Sequence, residues 1–240
     1  MDNIISLDEH FIAGLSDNFT AKLHSHPVLE IYSSCECNSH VITEDQIIEG
    51  QIIVIGTQLS HAIADEGKYG LAVFIDPLSE TGYSIMQNVL ADNQFTVVYD
   101  ENIKNHLSEL LINHTEANVH SAANAIITSI RGNIVQRPFS APVMETVEMI
   151  RCEEENFDMD HIAGAIHLSK SRIAHIFSEQ TGITLKSYLQ FKRMERAFRQ
   201  MAEGSSITKA AFDTGFSGSS HIASSSRKLL GMQLRELLNI

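Results

Sequence analysis

The stretch from Asp160 to Gln180 limits the possible folds of this chain more than any other, because its apolar residues recur at helical spacing in two short, adjacent runs. In the first run Ile162, Ala163 and Ile166 share a face, Asp158 or Asp160 is placed to cap it, and Ala163 and Gly164 are small enough for a second helix to cross. Leu168 closes the turn. Ser169 then takes an N-cap position. Ile173, Ile176 and Phe177 form a buried stripe that leaves Lys170, Ser171, Arg172, Ala174 and His175 pointing outward. Two readings fit, a helix-turn-helix with one basic face or an ordinary helical hairpin. The outward set favours the first. Arginine can fork onto guanine O6 and N7, histidine and serine can bond base edges or phosphates, and alanine can touch a thymine methyl, so the second helix suits a DNA major groove.

The pattern then repeats. Thr181 and Gly182 stop the second helix, Leu185 to Ala202 predicts a long amphipathic helix, and Gly204, Ser205 and Ser206 lead into a second unit from Ile207 to Leu230. In the long helix Leu185, Tyr188, Phe191, Met194, Phe198 and Met201 form a buried stripe. Lys192, Arg196 and Arg199 line another side, as a solvated face or as phosphate contacts. In the second unit Ile207, Ala210, Ala211 and Phe212 supply a first helix, Thr214, Gly215 and Phe216 a turn, and Ser219 to Leu230 a second helix.

With Ile162-Ala163, Leu168-Ser169, Arg172-Ile173, Ile176-Phe177, Thr181-Gly182, Tyr188-Leu189, Arg193, Ala197, Ala210-Ala211, Gly215-Phe216 and Gly231 in place, the region from about Phe157 to Leu237 resembles the DNA-binding domain of AraC/XylS-type transcription regulators. The resemblance implies two helix-turn-helix units bridged by the long helix, each presenting one recognition helix to successive major-groove segments. The chain departs from the family at Ser224 and Ser226, where an Arg and a buried Phe are usual, and at Leu234, where a Pro is usual. Its second recognition helix offers Ser219, Ser220 and His221 to bases, with Arg227 and Lys228 holding the backbone. Hydroxyls discriminate little, so base specificity is expected mostly from the first unit.

At 240 residues the chain is long enough for two domains, and a hydrophobic content of 43% supports a real core. Charge divides it. Residues 1–140 carry 5 Lys/Arg against 18 Asp/Glu, net −13, whereas residues 168–240 carry 11 against 5, net +6. The segment with the helix-turn-helix pattern is thus locally basic in a chain of pI 5.3. Three cysteines make no disulfide framework, acid stands near the N-terminus where a signal peptide needs base, and no apolar run approaches a membrane span, which together predict a cytoplasmic protein. Cys35, Cys37 and His40 are either a metal fragment or two cysteines on one strand, and no second ligand pair at finger spacing accompanies them.

Between Phe19 and Tyr99 the pattern is β-like, with seven short strands: Phe19 to Leu23, Val28 to Ser33, Val41 to Thr43, Ile52 to Ile55, His61 to Ala64, Leu71 to Ile75 and Phe95 to Val98. A small sandwich or barrel follows. Within it His24, His26 and Glu30, then Gly50, Gly56 and His61, resemble the two signature motifs of the cupin barrel, with Gly56 for Pro, Gln58 for Gly and Asp65 for Asn as departures. Alternation puts His24, His26 and Glu30 on one face of an undistorted strand. Three imidazoles and a carboxylate suit a divalent transition metal, and the alternative is a metal-free polar floor to an effector pocket. From Glu101 the period turns helical, with Ile103, Leu107, Leu110 and Leu111 marking one helix and Ala122, Ala125, Ile126, Ser129, Ile130 and Ile134 another. These stripes either pack on the barrel or dimerise the chain, and the dimer is favoured because two helices exceed what one small sheet face needs.

The whole reads as an α+β two-domain chain: residues 1–135 a cupin-like sensing barrel with dimerisation helices, 136–142 a linker broken by Pro138 and Pro142, and 143–240 an all-α domain with two helix-turn-helix motifs. The function expected is a non-catalytic, AraC/XylS-type regulator. It binds double-stranded promoter DNA, answers to a small-molecule effector, forms a homodimer and, where it activates, engages RNA polymerase. Two competitors remain, a metal-dependent cupin enzyme working through His24, His26, Glu30 and His61, and a regulator controlled by a protein partner.

Overall fold

The computed structural model describes residues 3–36, 38–152 and 158–230, apart from the side chain of Leu230. These divide into two compact units, the first running to Gln136 and the second from Arg137 to Ser225. Cys37, the acidic run Glu153–Glu155 and the family positions Phe157, Gly231, Leu234 and Leu237 lie outside the described residues.

Ten strands make up the first unit: β1 (Ile4–Leu7), β2 (Phe11–Ser16), β3 (Phe19–His24), β4 (Leu29–Ser34), β5 (Ser39–Thr43), β6 (Ile47–Gly50), β7 (Ile52–Ile55), β8 (His61–Asp65), β9 (Gly70–Ile75) and β10 (Phe95–Val98). The seven predicted strands are present, and β1, β2 and β6 are additions. Instead of the closed barrel expected, the strands form two sheets, ordered β1-β2-β9-β4-β7-β10 and β3-β8-β5-β6. Among the described residues no ladder joins the two sheets, because β1 and β10 stand at the edges of the larger one and β3 and β6 at the edges of the smaller.

Strand β4 is buried at all six positions, and this defines the layering. Leu29 and Ile31 face a core shared with the helices, while Glu30 and Tyr32 reach side chains of the four-stranded sheet. After β9 come α1 (Glu80–Ile85), a π-helical turn (Met86–Leu90), α2 (Glu101–Ile112) and α3 (Glu116–Arg131). Ile103, Leu107 and Leu110 of α2 and Val119, Ala122 and Ile126 of α3 are buried in the same cluster as Leu29 and Ile31. The apolar stripes that suggested dimerisation are therefore used within the chain, covering the six-stranded sheet. Helix α3 begins six residues before its periodic run, where the Thr115 hydroxyl caps it by accepting the Asn118 N–H.

Six helices form the rest: α4 (Ala141–Cys152), α5 (Met159–Ala165), α6 (Lys170–Thr181), α7 (Leu185–Ala202), α8 (Ile207–Asp213) and α9 (Ser219–Leu230). Their boundaries follow local chemistry. Asp158 caps α5 with bonds of 2.9 Å from the N–H groups of Asp160 and His161, Ser169 caps α6, and Gly182 ends α6 in the left-handed region. Along α7, Tyr188, Phe191, Met194 and Phe198 are buried as the stripe predicted.

Two substitutions test this packing. A Cβ on Gly50 would lie 2.1 Å from Cγ1 of Val97, so Gly50→Ala is expected to force β6 and β10 apart and lower stability in urea unfolding by about 1–3 kcal/mol; an unchanged midpoint would show that Val97 yields freely. In α7, burial alone would raise the Glu195 carboxyl, but Lys192 at 2.5 Å and Arg199 at 2.9 Å hold it below its ordinary value. Its stabilising contribution is therefore complete above the unfolded value near 4.5 and is lost as pH falls through the lower folded value. Glu195→Gln is expected to cost about 3 kcal/mol at neutral pH, since Lys192 keeps its charge in a buried place, and to flatten the acid limb of the stability profile.

Candidate functional site

Helices α5 and α6 are joined by a tight turn in which His167 adopts a left-handed backbone, φ +57. Ile162, Ile173, Ile176 and Phe177 are buried, so the outer face of α6 is fixed in direction. Lys170, Ser171, Arg172 and His175 are exposed on it and Ala174 is half-buried. The basic groups are partly balanced from within: Lys170 pairs with Asp160 at 2.5 Å, and Nε2 of His175 lies 3.8 Å from Glu179. The Lys170–Asp160 pair was not foreseen, since it joins the first turns of two different helices.

Helices α8 and α9 repeat the arrangement. The Ser206 hydroxyl caps α8 by accepting the Lys209 N–H, and Ala210, Ala211, Phe216 and Ile222 are buried. Ser219, Ser220, His221, Arg227 and Lys228 are exposed. Ser226 is fully buried, at the position where the family resemblance calls for a buried Phe, and Ser225 accepts a bond from Gln190 of α7. The serine-rich segment is helical despite its weak intrinsic propensity, with Ile222, Ser225 and Ser226 buried along one side of it.

Lys192 and Arg196 were candidates for phosphate contact and are placed otherwise. Lys192 is 8% exposed and paired with Glu195, and Nη2 of Arg196 donates to the carbonyl of Ile150 at the end of α4. Lys192 is held within α7 itself, and Arg196 ties α7 to α4. Spacing alone shows a basic stripe, and the acid at Glu195 within the same turn was the signal that it is an internal ion-pair network.

In the first unit His24, His26, Glu30 and His61 converge between the two sheets, their ligand atoms all within 4.8 Å of one another. They do not share one strand face. His24 and His61 are register partners on β3 and β8, His26 lies in the connection to β4, and Glu30 comes from the other sheet. A register shift between Ala21 and His24 turns His24 inward. Gln58, at the cupin position usually held by Gly, has φ +66, and its N–H donates to the His26 carbonyl at 2.8 Å.

Backbone carbonyls decide the chemistry of this cluster. Nδ1 of His24, His26 and His61 lies 2.8, 3.0 and 2.9 Å from the carbonyls of Lys22, Val28 and Leu59. A carbonyl only accepts, so each Nδ1 carries its hydrogen and each neutral ring directs an Nε2 lone pair inward. Oε2 of Glu30 is 2.8 Å from Nε2 of His26 and 3.0 Å from Nε2 of His61. Lone pairs cannot face a carboxylate at that distance without a cation between them, supplied by protons on the rings or by a metal. Burial works against the Glu30 charge, yet the bonds from His26 and His61 hold its carboxyl far below the usual range. Burial likewise opposes charge on His61, but its bond to Glu30 raises it. His24 goes the other way: burial brings it down to about 4, and its buried Nε2 has no hydrogen-bond partner. An orphaned imidazole nitrogen beside two others and a carboxylate, each ring braced from behind by a carbonyl, fits a divalent transition metal.

The cysteine fragment offers no such convergence. Cys35 is buried, with burial and the Glu36 charge pushing its thiol up to about 12, while His40 donates to Asp65, so the described members of the fragment serve separate structures.

Residues 162–239 match the family model of a helix-turn-helix domain. No curated protein matches the sequence. Among solved structures, ToxT from Vibrio cholerae O395 is similar with a TM-score of 0.59 and 14% identity, over 97% of this chain and 98% of that one. Wild-type ToxT from strain SCE256 bound to an unsaturated fatty acid gives 0.58 and 10%, over 97% and 98%. An AraC-type transcriptional regulator from Chromobacterium violaceum is 27% identical over 41% of this chain and 89% of that one, with a TM-score of 0.36. The full-length likenesses share the architecture of a β-rich unit followed by a helical one. With the motif residues, the capped helix pair and the matched model in agreement, residues 162–239 are a helix-turn-helix domain, the module that the AraC/XylS resemblance assigns to DNA binding.

Proposed function

We propose that the chain acts in the cytoplasm at promoter DNA, with α6 and α9 as paired recognition helices and the acidic first unit as the sensor of a small signal. The observation that carries this is the outer face of α6, where Ser171, Arg172 and His175 are held toward solvent by a fully buried stripe beneath them. The repeated pair of short helices α8 and α9, the first capped by Ser206, supports a second helix-turn-helix, and the placement of the His/Glu cluster supports a cupin-like origin for the sandwich.

In this reading His24, His26, Glu30 and His61 hold a divalent transition metal. When bound, the ion supplies the positive charge that ring protons otherwise provide and ties the two sheets together. The four side chains are at most 8% exposed, which favours a sensing or structural ion over an enzyme's metal that must share its sphere with substrate. The organic effector is a small molecule, as the fatty acid is in the ToxT structure of similar architecture. A homodimer, and contact with RNA polymerase where the protein activates, belong to the same reading. The dimer would use faces other than the buried stripes of α2 and α3, and light scattering reads its mass.

DNA binding is expected to be salt-dependent, log affinity falling by about 0.9 per log salt for each phosphate neutralised, and an interaction with its own promoter region that is absent or indifferent to salt would overturn the regulator. Arg172→Ala should cost roughly 1–3 kcal/mol and relax preference at one base pair. For the metal, native mass spectrometry of the purified protein should find one divalent ion per chain, with His26→Ala removing it and lowering thermal stability; equal metal content in variant and parent would exclude this site.

A further inference from the structure

The first turn of α9 contains a histidine whose two ring nitrogens have different surroundings. The carbonyl of Gly218 accepts the N–H groups of His221 and Ile222 at 3.1 and 3.2 Å, which makes Gly218 the N-cap and His221 the third residue of the helix. Glycine has no side chain with which to cap. The imidazole reaches back instead, with Nδ1 3.2 Å from the backbone nitrogen of Ser217 and 3.1 Å from its hydroxyl oxygen. This is the geometry of a capping box, one residue further out and with a ring in place of a carboxylate.

The backbone N–H of Ser217 can only donate, so Nδ1 of His221 is the acceptor and carries no hydrogen. The neutral ring then keeps its hydrogen on Nε2. Phe216, itself buried, packs against the ring at 5.2 Å and 83°, fixing the plane in which that N–H lies. His221 is otherwise exposed. A rigid, single donor therefore stands at the start of the helix, beside Ser219 and Ser220, whose hydroxyls turn freely to donate or accept.

We propose that His221 is the base-reading residue of the second recognition helix, its Nε2–H donating to an acceptor on a major-groove base edge, and that Ser217 is the positioning residue that fixes which nitrogen donates. The inference rests on the reading of α8 and α9 as a second helix-turn-helix. It replaces the expectation that this helix hardly discriminates. Guanine O6 and N7, adenine N7 and thymine O4 accept such a bond, whereas the major-groove edge of cytosine offers an amino donor, so the contacted position should reject cytosine.

Two substitutions separate reading from capping. The amide of His221→Asn reaches only as far as Nδ1, so its oxygen can still accept the Ser217 N–H while its NH2 falls short of the Nε2 position. In His221→Gln the amide nitrogen can take the Nε2 position only with its oxygen turned away from the Ser217 N–H, so outward donor and cap cannot be held together. Both are compared with the parent as full-length chains, by thermal unfolding and by selection from randomised duplexes at fixed salt. The expected result is that His221→Asn unfolds near the parental temperature, loses discrimination against cytosine at one position and binds the best site about three- to tenfold more weakly. His221→Gln should unfold earlier and keep the discrimination. If His221→Asn retained the parental preference, or weakened all sequences evenly as loss of a phosphate contact would, the proposal would fail while the second half-site stood. If the parent selected only a motif dependent on Arg172, with no second motif about one helical turn away, the two-headed reading itself would fall.

Discussion

A carboxylate buried between two sheets governs the first unit. Glu30 is 1% exposed on a strand covered on both faces, and an isolated charge there would be prohibitively costly. Its partners are the rings of His26 and His61, with His24 beside them, and all three are oriented by backbone carbonyls rather than by one another, so the cluster keeps its shape whether protons or a metal supply the positive charge. The alternatives are linked. A metal must displace whatever protons His26 and His61 share with Glu30, so its affinity weakens as the medium becomes more acidic.

Asp65 shows what a purely structural carboxylate looks like in the same interlayer. It is fully buried and accepts from the Tyr32 hydroxyl, from the backbone N–H and Nδ1 of His40, and from Lys68 at 3.5 Å. Burial and the Asp65 charge together hold the Tyr32 hydroxyl in its protonated, donating form. Protein donors from the backbone, β4, β5 and the following turn thus answer this carboxylate, with no imidazole nitrogen orphaned beside it. Glu30 differs because its neighbours are acceptors by construction, and His24 is left with an unanswered nitrogen. The contrast separates a cluster whose acceptors need a cation among them from a carboxylate already answered by protein donors.

Most of the helical half was legible because its signals are local. Ser169, Gly182 and the 3.6-residue stripe of Leu185–Ala202 fix α6 and α7 at the residues where the sequence places them. The sheets were harder. Ile47 and Ile48 lead into Glu49 and Gly50 in a strand too short for alternation to stand out, and Ala13 and Gly14 blur β2. Closure is a non-local property, which seven strands at barrel-like spacing cannot decide. The four cluster residues were legible by type and spacing, but their shared strand face was not, since a register shift and the sheet change between β3 and β4 both intervene. Ser217 escaped notice because a backbone N–H leaves no mark in a sequence.

The basic count of the DNA-binding half overstates its electrostatic reach. Of its 11 Lys and Arg, Lys192 and Arg199 share Glu195, Arg196 closes the end of α4, and Lys170 is balanced by Asp160. The first 140 residues add a net charge of −13 that repels the same phosphates. Counterion release therefore draws on fewer cations than the sequence advertises, and sequence-independent attraction is correspondingly modest. Under the proposed reading, directional bonds from Arg172, His175 and His221 would form a larger share of the binding energy, and discrimination would gain relative to bare affinity.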